Sequence, residues 1–179
     1  VSFEGDEASY EIQEDVAWDA IEWSKKLTFL AARTDAVCFS TLARRSETTA
    51  STISRFLGQL PESCLKVLDV NLRPPFYSDD VLIKSFHQAD VVKMNEHERE
   101  VIAGILNTET PEQDLLDAYG VRLVILTLGR QGSRCISTEG DHFYPVQPAD
   151  TSAGDSVGVG DAFIACVIHH LLKGSEEAE

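Results

Sequence analysis

Basic residues are scarce in this 179-residue chain, above all at its start. The sequence contains 15 Lys and Arg against 30 Asp and Glu, so its formal net charge is −15. The first basic residue, Lys25, comes after eight acidic ones. A nucleic-acid-binding protein needs a basic surface to neutralise phosphates. The charge therefore argues against a nucleic-acid partner and against a general affinity for anionic membranes.

The chain also lacks the segments that mark membrane or exported proteins. It contains no apolar run of 18 residues and no basic segment followed by an apolar one near its start. These absences predict a cytoplasmic protein without a membrane segment.

The four cysteines are far apart and form no C-x-x-C pair. We expect reduced thiols, and the apolar runs around Cys38 and Cys166 predict that these two are buried and inert.

Hydrophobic residues make up 43% of the chain and recur in ordered blocks, which is typical of a folded domain. Apolar strand patterns alternate with helical patterns, and this order predicts an open α/β domain with a mainly parallel sheet. The alternation from Ala8 to Glu14 predicts a separate edge strand. The strands predicted for the sheet are 36–40, 65–70, 90–94, 122–128, 134–138 and 142–147.

Helix boundary signals lie between these strands. Ser46 is a predicted N-cap, Pro61 stops the same helix, and Thr110 precedes a proline at a helix start. Gly120 and Gly174 are expected to end helices. Ligands of open α/β sheets bind outside the carboxyl ends of strands. The polar, glycine-bearing junctions after Val70, Met94, Leu128 and Gln147 are therefore the candidate site segments.

The sharpest motif is D-S-V-G-V-G-D-A-F, residues 155–163, a glycine-rich turn that opens into a helix. Its glycines allow close backbone approach to an anion, and first-turn N–H groups can bind phosphate oxygens. Asp161 can then accept the proton of an attacking hydroxyl. An equally good interpretation of this residue alone is an acid that complements the helix dipole.

Two familiar nucleotide-binding motifs are excluded by spacing. G-x-G-x-x-G requires a third glycine where Phe163 stands, and the Gly-Lys-Ser/Thr of a P-loop occurs nowhere in the chain.

The 155–163 motif resembles the hallmark of the ribokinase, or phosphofructokinase B (PfkB), family of carbohydrate kinases. The resemblance implies a three-layer α/β/α sandwich that binds ATP, Mg²⁺ and a sugar. It implies that Asp161 is the catalytic base and also contacts the substrate, and that Gly158, Val159 and Gly160 form an anion hole. A near-copy, residues 150–155, has its two Asp one residue too close and no Ala-Phe after it.

Two further segments match the family's nucleotide motifs. Asn95 and Glu98 match N-x-x-E, which implies a role of Asn95 at ATP and of Glu98 at Mg²⁺ through water. Without the resemblance, the same pair is better interpreted as a capping box. The T-L-G-x-x-G segment matches a family motif that implies ATP contacts from Thr127, Gly129 and Gly132. Without the resemblance, this segment is better interpreted as an ordinary hairpin turn with two glycines.

Asn71 and Arg73 match the family's D-x-N-x-R, which implies sugar contacts, while the alternative is a turn stabilised by Asn and the two prolines that follow. The resemblance assigns residues 1–14 to a small β lid and residues 15–179 to a core that is incomplete at both ends. It allows a homodimer through the lid and a monovalent cation, such as K⁺, at Asp155.

Fructose is the expected acceptor, because the lid segment, residues 42–46 and D-x-N-x-R are most similar to fructokinases. The alternatives are ribose, 2-keto-3-deoxygluconate, a nucleoside, or a catalytically silent paralogue that binds nucleotide or sugar. A dinucleotide-binding fragment of an oxidoreductase is disfavoured by the missing third glycine.

Overall fold

A computed structural model describes residues 2–4, 7–9, 11–147 and 157–174, with side chains from residue 11 onward. The strands are Ser2–Glu4 (β1), Glu7–Ser9 (β2), Ala36–Ser40 (β3), Leu65–Asp69 (β4), Val91–Asn95 (β5), Leu123–Thr127 (β6), Gly132–Ser137 (β7) and Gly140–Pro145 (β8). The helices are Lys25–Ala31 (α1), Glu47–Leu57 (α2), Asp79–Phe86 (α3), Glu96–Leu106 (α4), Pro111–Tyr119 (α5) and Val159–Leu172 (α6).

Six strands form the main sheet in the order β3-β4-β5-β6-β7-β8. The first four are parallel, and β7 and β8 add an antiparallel hairpin at one side. The predicted mainly parallel sheet is therefore confirmed, with strand ends within two residues of those expected.

Alternate residues of the strands feed two cores, one on each face of the sheet. Leu68, Val92 and Val124 pack against residues of α2, α3, α4 and α5. Val67, Val91 and Ile125 pack against α6 through Ile164. Because strand side chains alternate between faces, this division gives the three-layer α/β/α sandwich that the family resemblance implied.

Capping chemistry explains where several helices begin and end. The Ser46 hydroxyl accepts a hydrogen bond from the Thr49 N–H, as its position before α2 predicted. Gly120 ends α5 in the left-handed conformation, with φ of 73°. Helix α5 begins at Pro111, but Thr110 makes no side-chain capping bond. Helix α2 ends at Leu57, four residues before Pro61.

The first residues form a separate two-stranded sheet, in which β1 and β2 are antiparallel. The predicted edge strand over residues 8–14 is wrong at its far end, because no strand covers 11–14. The segment after this two-stranded sheet is anchored by Asp19, which forms an ion pair of 2.7 Å with Arg45. The Arg45 guanidinium also stacks on Trp18. Assignment of residues 1–14 to a lid stays a prediction.

Two cysteine predictions are wrong, because Cys38 and Cys166 are both exposed. Cys38 lies on β3, an edge strand of the sheet, and Cys166 lies on α6 away from the residues that face the core. None of the four cysteines forms a disulfide bond.

Among the described residues, no helix is both long and apolar enough to cross a membrane.

Candidate active site

The candidate site lies at the carboxyl edge of the sheet, on the face that α6 covers. Val67, Val91 and Ile125 point to the α6 side. Two residues later on each strand come Asp69, Lys93 and Thr127, which therefore share that face. Strand alternation thus brings polar side chains from three neighbouring strands to the beginning of α6.

A cleft of about 790 Å³ opens at this edge. Its volume is in the range that small-molecule sites occupy, about 300 to 1,000 Å³. The structure brings together six of the residues predicted for ATP and for the anion hole, which line the cleft with Lys93: Asn95, Thr127, Gly129, Gly132, Val159 and Gly160. Of the other predicted residues that the structure describes, Asn71, Arg73, Glu98, Gly158 and Asp161 are not part of the lining.

Helix α6 begins as an anion site would require. Gly158 is its N-cap in the left-handed conformation, with φ of 79°, so glycine suits this position. The first intrahelical bond runs from the Ala162 N–H to the Gly158 carbonyl at 2.9 Å. The N–H groups of Val159, Gly160 and Asp161 thus precede the helical ladder and are directed out of the helix start. Asp161 is the third residue of α6 and is exposed.

The glycine turn between β6 and β7 forms the opposite wall of the cleft. The Leu128 N–H donates to the Gly132 carbonyl at 2.9 Å, and a short 3-10 helix, Gly129–Gln131, fills the turn. Gly132 is required here, because a Cβ at this position would lie 2.0 Å from the Tyr144 carbonyl oxygen. The hairpin turn of the alternative interpretation is therefore present, and it contributes directly to the cleft.

Asn95 and Glu98 form the capping box that the sequence pattern favoured. The Asn95 side chain accepts from the Glu98 N–H, and Glu98 Oε2 accepts from the Asn95 N–H, both at 2.8 Å. Glu98 Oε1 also accepts from the Leu72 N–H at 3.1 Å, and the residue is only 3% exposed. Glu98 thereby ties the segment after β4 to the beginning of α4, and its role at Mg²⁺ stays a prediction.

The D-x-N-x-R segment leaves β4 through a left-handed Asn71, with φ of 43°. Arg73 Nη1 donates to the Leu72 carbonyl at 2.9 Å. The backbone turns directly afterwards, where the Phe76 N–H donates to the Arg73 carbonyl at 2.8 Å. A turn is therefore present, as in the alternative interpretation, and neither Asn71 nor Arg73 lines the cleft. Their contacts to a sugar stay a prediction.

The ion pair between Lys93 and Asp69 was not predicted from the sequence. The two are register partners on β5 and β4, with Lys93 Nζ 3.0 Å from Asp69 Oδ1. A lysine inside the apolar run D-V-V-K-M was a usable signal, since an ionised side chain in a buried strand needs a partner. Asp69 opens the D-x-N-x-R motif, and only strand register shows that it meets Lys93.

The Cys38 thiol is a second feature of this face. Cys38 is exposed as a residue. Desolvation by the atoms around its thiol is nevertheless the largest cause that raises the pKa of Cys38 to about 11, followed by the negative charges of Asp69 and Asp161. Asp161 and Asp69 are therefore close enough to act on one thiol. This relation connects the beginning of α6 to the end of β4.

Comparison with known proteins decides the family. Residues 6–179 match the family described as pfkB family carbohydrate kinase. The chain belongs to this family. The relatives include an uncharacterized sugar kinase of Pyrococcus horikoshii, which is 30% identical over 89% of this chain. The structure of that kinase in complex with ATP superimposes with a TM-score of 0.72 at 25% identity. The superposition covers 98% of this chain and 56% of that one.

The curated relatives also include two kinases that are named after different compounds. Adenosine kinase of Saccharomyces cerevisiae is 30% identical over 67% of this chain, and fructokinase of Escherichia coli is 29% identical over 72%. The matched regions cover 46%, 39% and 41% of the three relatives in the order given, so the chain spans less than half of their length.

The described residues do not form a metal cage of the kind that carboxylates, His and Cys build. No group of three or more such side chains converges in the described part of the chain. Both oxygens of Glu98 already accept backbone N–H groups. These residues therefore do not fit direct coordination of Mg²⁺, an ion that commonly keeps several waters and binds through substrate phosphates. Asp155, the predicted ligand of a monovalent cation, lies outside the described residues.

Proposed function

We propose that the protein is an ATP-dependent sugar kinase whose phosphoryl transfer takes place at the carboxyl edge of the sheet. One observation carries the proposal: six residues that pfkB motifs assign to ATP and to the anion hole line a single cleft of about 790 Å³. They come from three segments that are far apart in the sequence: the end of β5, the turn from β6 to β7, and the beginning of α6.

The proposed chemistry is an in-line transfer. Asp161 takes the proton of a sugar hydroxyl, whose oxygen attacks the γ-phosphorus of ATP. The bond from that phosphorus to the bridging oxygen breaks, and ADP leaves with the electron pair. The N–H groups at Gly158 to Gly160 stabilise the negative charge on the transferred group. Mg²⁺, carried by the phosphates and water, would neutralise part of their charge.

Fructose is our first choice of acceptor, with ribose and 2-keto-3-deoxygluconate next. Support for fructose comes from the fructokinase-like segments of the sequence and from a fructokinase among the curated relatives. The adenosine kinase among them keeps a nucleoside as an alternative. Asn71 and Arg73 would contact the sugar from the end of β4. A location in the cytoplasm, K⁺ at Asp155 and dimerisation through the lid are further parts of the proposal.

The test is a coupled assay of ADP release by the purified natural full-length protein over a panel of sugars and nucleosides. We expect release of ADP that depends on both Mg²⁺ and one sugar, with fructose giving the highest kcat/KM. If no compound releases ADP while ATP still binds, the protein is a silent paralogue and the proposed function is wrong. If the protein neither releases ADP nor binds ATP, the cleft does not bind nucleotide.

A further inference from the structure

The ion pair of Lys93 and Asp69 is unusual in its environment. Both side chains are mostly buried, at 12% and 13% exposure, next to strand residues that are almost entirely apolar. Desolvation offsets much of the attraction in such a pair, and apolar residues of similar volume are often as stabilising. Stability of the fold is therefore a weak reason for a lysine at this position.

The Lys93 ammonium group lies at the beginning of α6. A Cβ built on Gly160 would lie 3.8 Å from Lys93 Nζ. Because the Cα–Cβ bonds of a helix tilt toward its N-terminus, this direction leads to the end of α6 where the free N–H groups are. The ammonium and the helix start thus meet at the same wall of the cleft.

Lys93 also fills an electrostatic need. It is the only Lys or Arg among the described residues that line the cleft, and Glu96 adds a negative charge to that lining. The ammonium has three N–H donors, of which one is directed to Asp69. The remaining donors can bind a ligand. Because no other Lys or Arg is among the described residues that line the cleft, a triphosphate finds no second ammonium or guanidinium group there.

We propose that Lys93 donates a hydrogen bond to the γ-phosphoryl group of ATP during transfer, and that Asp69 positions the Lys93 side chain. The proton of the sugar hydroxyl goes to Asp161, so the proposed step moves no proton to or from Lys93. This inference rests on the proposed function, and it adds a side-chain cation to an anion hole of backbone N–H groups. Lys93 is then a catalytic residue and Asp69 a positioning residue.

The main variant is Lys93→Met, and the chain offers a matched control in Lys66→Met. Lys66 on β4 forms an ion pair with Asp90, the residue just before β5, at the opposite edge of the sheet. In the full-length protein we expect Lys93→Met to lower kcat about 100-fold or more. We expect Lys66→Met to stay within about threefold of the parent.

Nucleotide binding by calorimetry separates a phosphate contact from a structural role. Lys93→Met should bind the β,γ-imido analogue of ATP at least about tenfold more weakly, while its affinity for ADP stays within about twofold, because only the analogue has a γ-phosphoryl group. For Asp69→Asn we expect a smaller loss of kcat. Added to Lys93→Met, it should cause no further loss, because a positioning residue acts only through its partner.

If Lys93→Met does not fold, the same contact can be tested in the parent protein by the protection of Lys93 from chemical modification. The imido analogue should protect Lys93 from acetylation, as measured by mass spectrometry, whereas ADP should not, and Lys66 should react equally in both.

The inference is overturned if the parent is an active kinase and Lys93→Met keeps kcat within about threefold and binds both nucleotides like the parent. Equal protection of Lys93 by both nucleotides overturns it as well. Failure of the parent to phosphorylate any sugar contradicts the proposed function instead, and the binding comparison still reports on Lys93.

Discussion

An ion pair lies at each end of the β4–β5 strand pair, and the positions of the acid and the base are reversed between the two ends. At the amino edge, Lys66 on β4 pairs with Asp90 at 3.6 Å. At the carboxyl edge, Asp69 on β4 pairs with Lys93 on β5 at 3.0 Å. The two pairs have similar chemistry and the same strand neighbours, so their surroundings account for any difference in role.

The surroundings differ in three ways. Asp90 also accepts the Lys66 backbone N–H at 2.8 Å and lies 3.8 Å from Arg122, so this carboxylate is committed to the fold. The cleft beside it measures about 300 Å³, against about 790 Å³ at the carboxyl edge. Lys66 and Asp69 are three residues apart on β4, and this odd spacing places their side chains on opposite faces of the sheet. Only the pair at the carboxyl edge therefore meets the beginning of α6. Position relative to α6, and not residue type, thus separates a structural ion pair from a candidate functional one.

The largest effect on stability is expected from Gly132 at the carboxyl edge, with Gly120 at the amino edge as its matched control. Gly132→Ala places a Cβ against the Tyr144 backbone, so β8 has to move and the free energy of unfolding should fall by about 3 kcal/mol. ATP affinity should fall too, because Tyr144 lines the cleft. Gly120→Ala at the amino edge meets no atom within 4 Å and should cost only about 1 kcal/mol of backbone strain. Urea unfolding and calorimetry measure both, and equal losses of stability would contradict this account.

A smaller effect is expected from the structural carboxylate. Asp90→Asn weakens the bond to the Lys66 N–H and removes two ion pairs, so the free energy of unfolding should fall by about 1 to 2 kcal/mol. Its kcat should stay within about twofold of the parent. A fall in kcat as large as that of Lys93→Met would erase the difference between the two edges.

The smallest effect concerns the reactivity of a thiol. Since the pKa of Cys38 is raised to about 11, its alkylation rate should climb with pH until about that value. The neutral thiol is favoured in the folded state, so this group contributes stability that is lost as the pH rises toward 11. Asp161→Asn removes a nearby negative charge and should shift the inflection to lower pH.

The control for the thiol measurement is Asp90→Asn, whose charge acts on Cys64 and is not among the causes of the raised Cys38 pKa. Mass spectrometry of the peptide that contains Cys38 gives the rate. An inflection that shifts equally in both variants would mean that Asp161 is not specifically near Cys38 on β3.

Local signals in the sequence predicted much of the fold. The run 36–40 and the N-cap Ser46 were found in the structure as expected, because apolar runs and capping side chains act over a few residues. The glycine turn at Gly129 and Gly132 and the beginning of α6 were also recognisable, and the structure brings them to one cleft.

Features that depend on distant parts of the chain were not predicted. Lys93 and Asp69 meet only because β4 and β5 pair in a particular register. Cys38 was expected to be buried, but an apolar run does not reveal that its strand is at the edge of the sheet. The bond from the Leu72 N–H to Glu98 joins residues 26 positions apart, and the N-x-x-E pattern has no trace of it.

The most direct test of a phosphoryl-transfer site at the carboxyl edge is kcat for ADP release by Asp161→Asn, compared with Asp79→Asn. Asp79 is also an exposed acid in the first turn of a helix, α3, so it controls for the helix dipole. The account predicts a loss of about 100-fold or more for Asp161→Asn and a change within about twofold for Asp79→Asn. A rate for Asp161→Asn within about tenfold of the parent would contradict it.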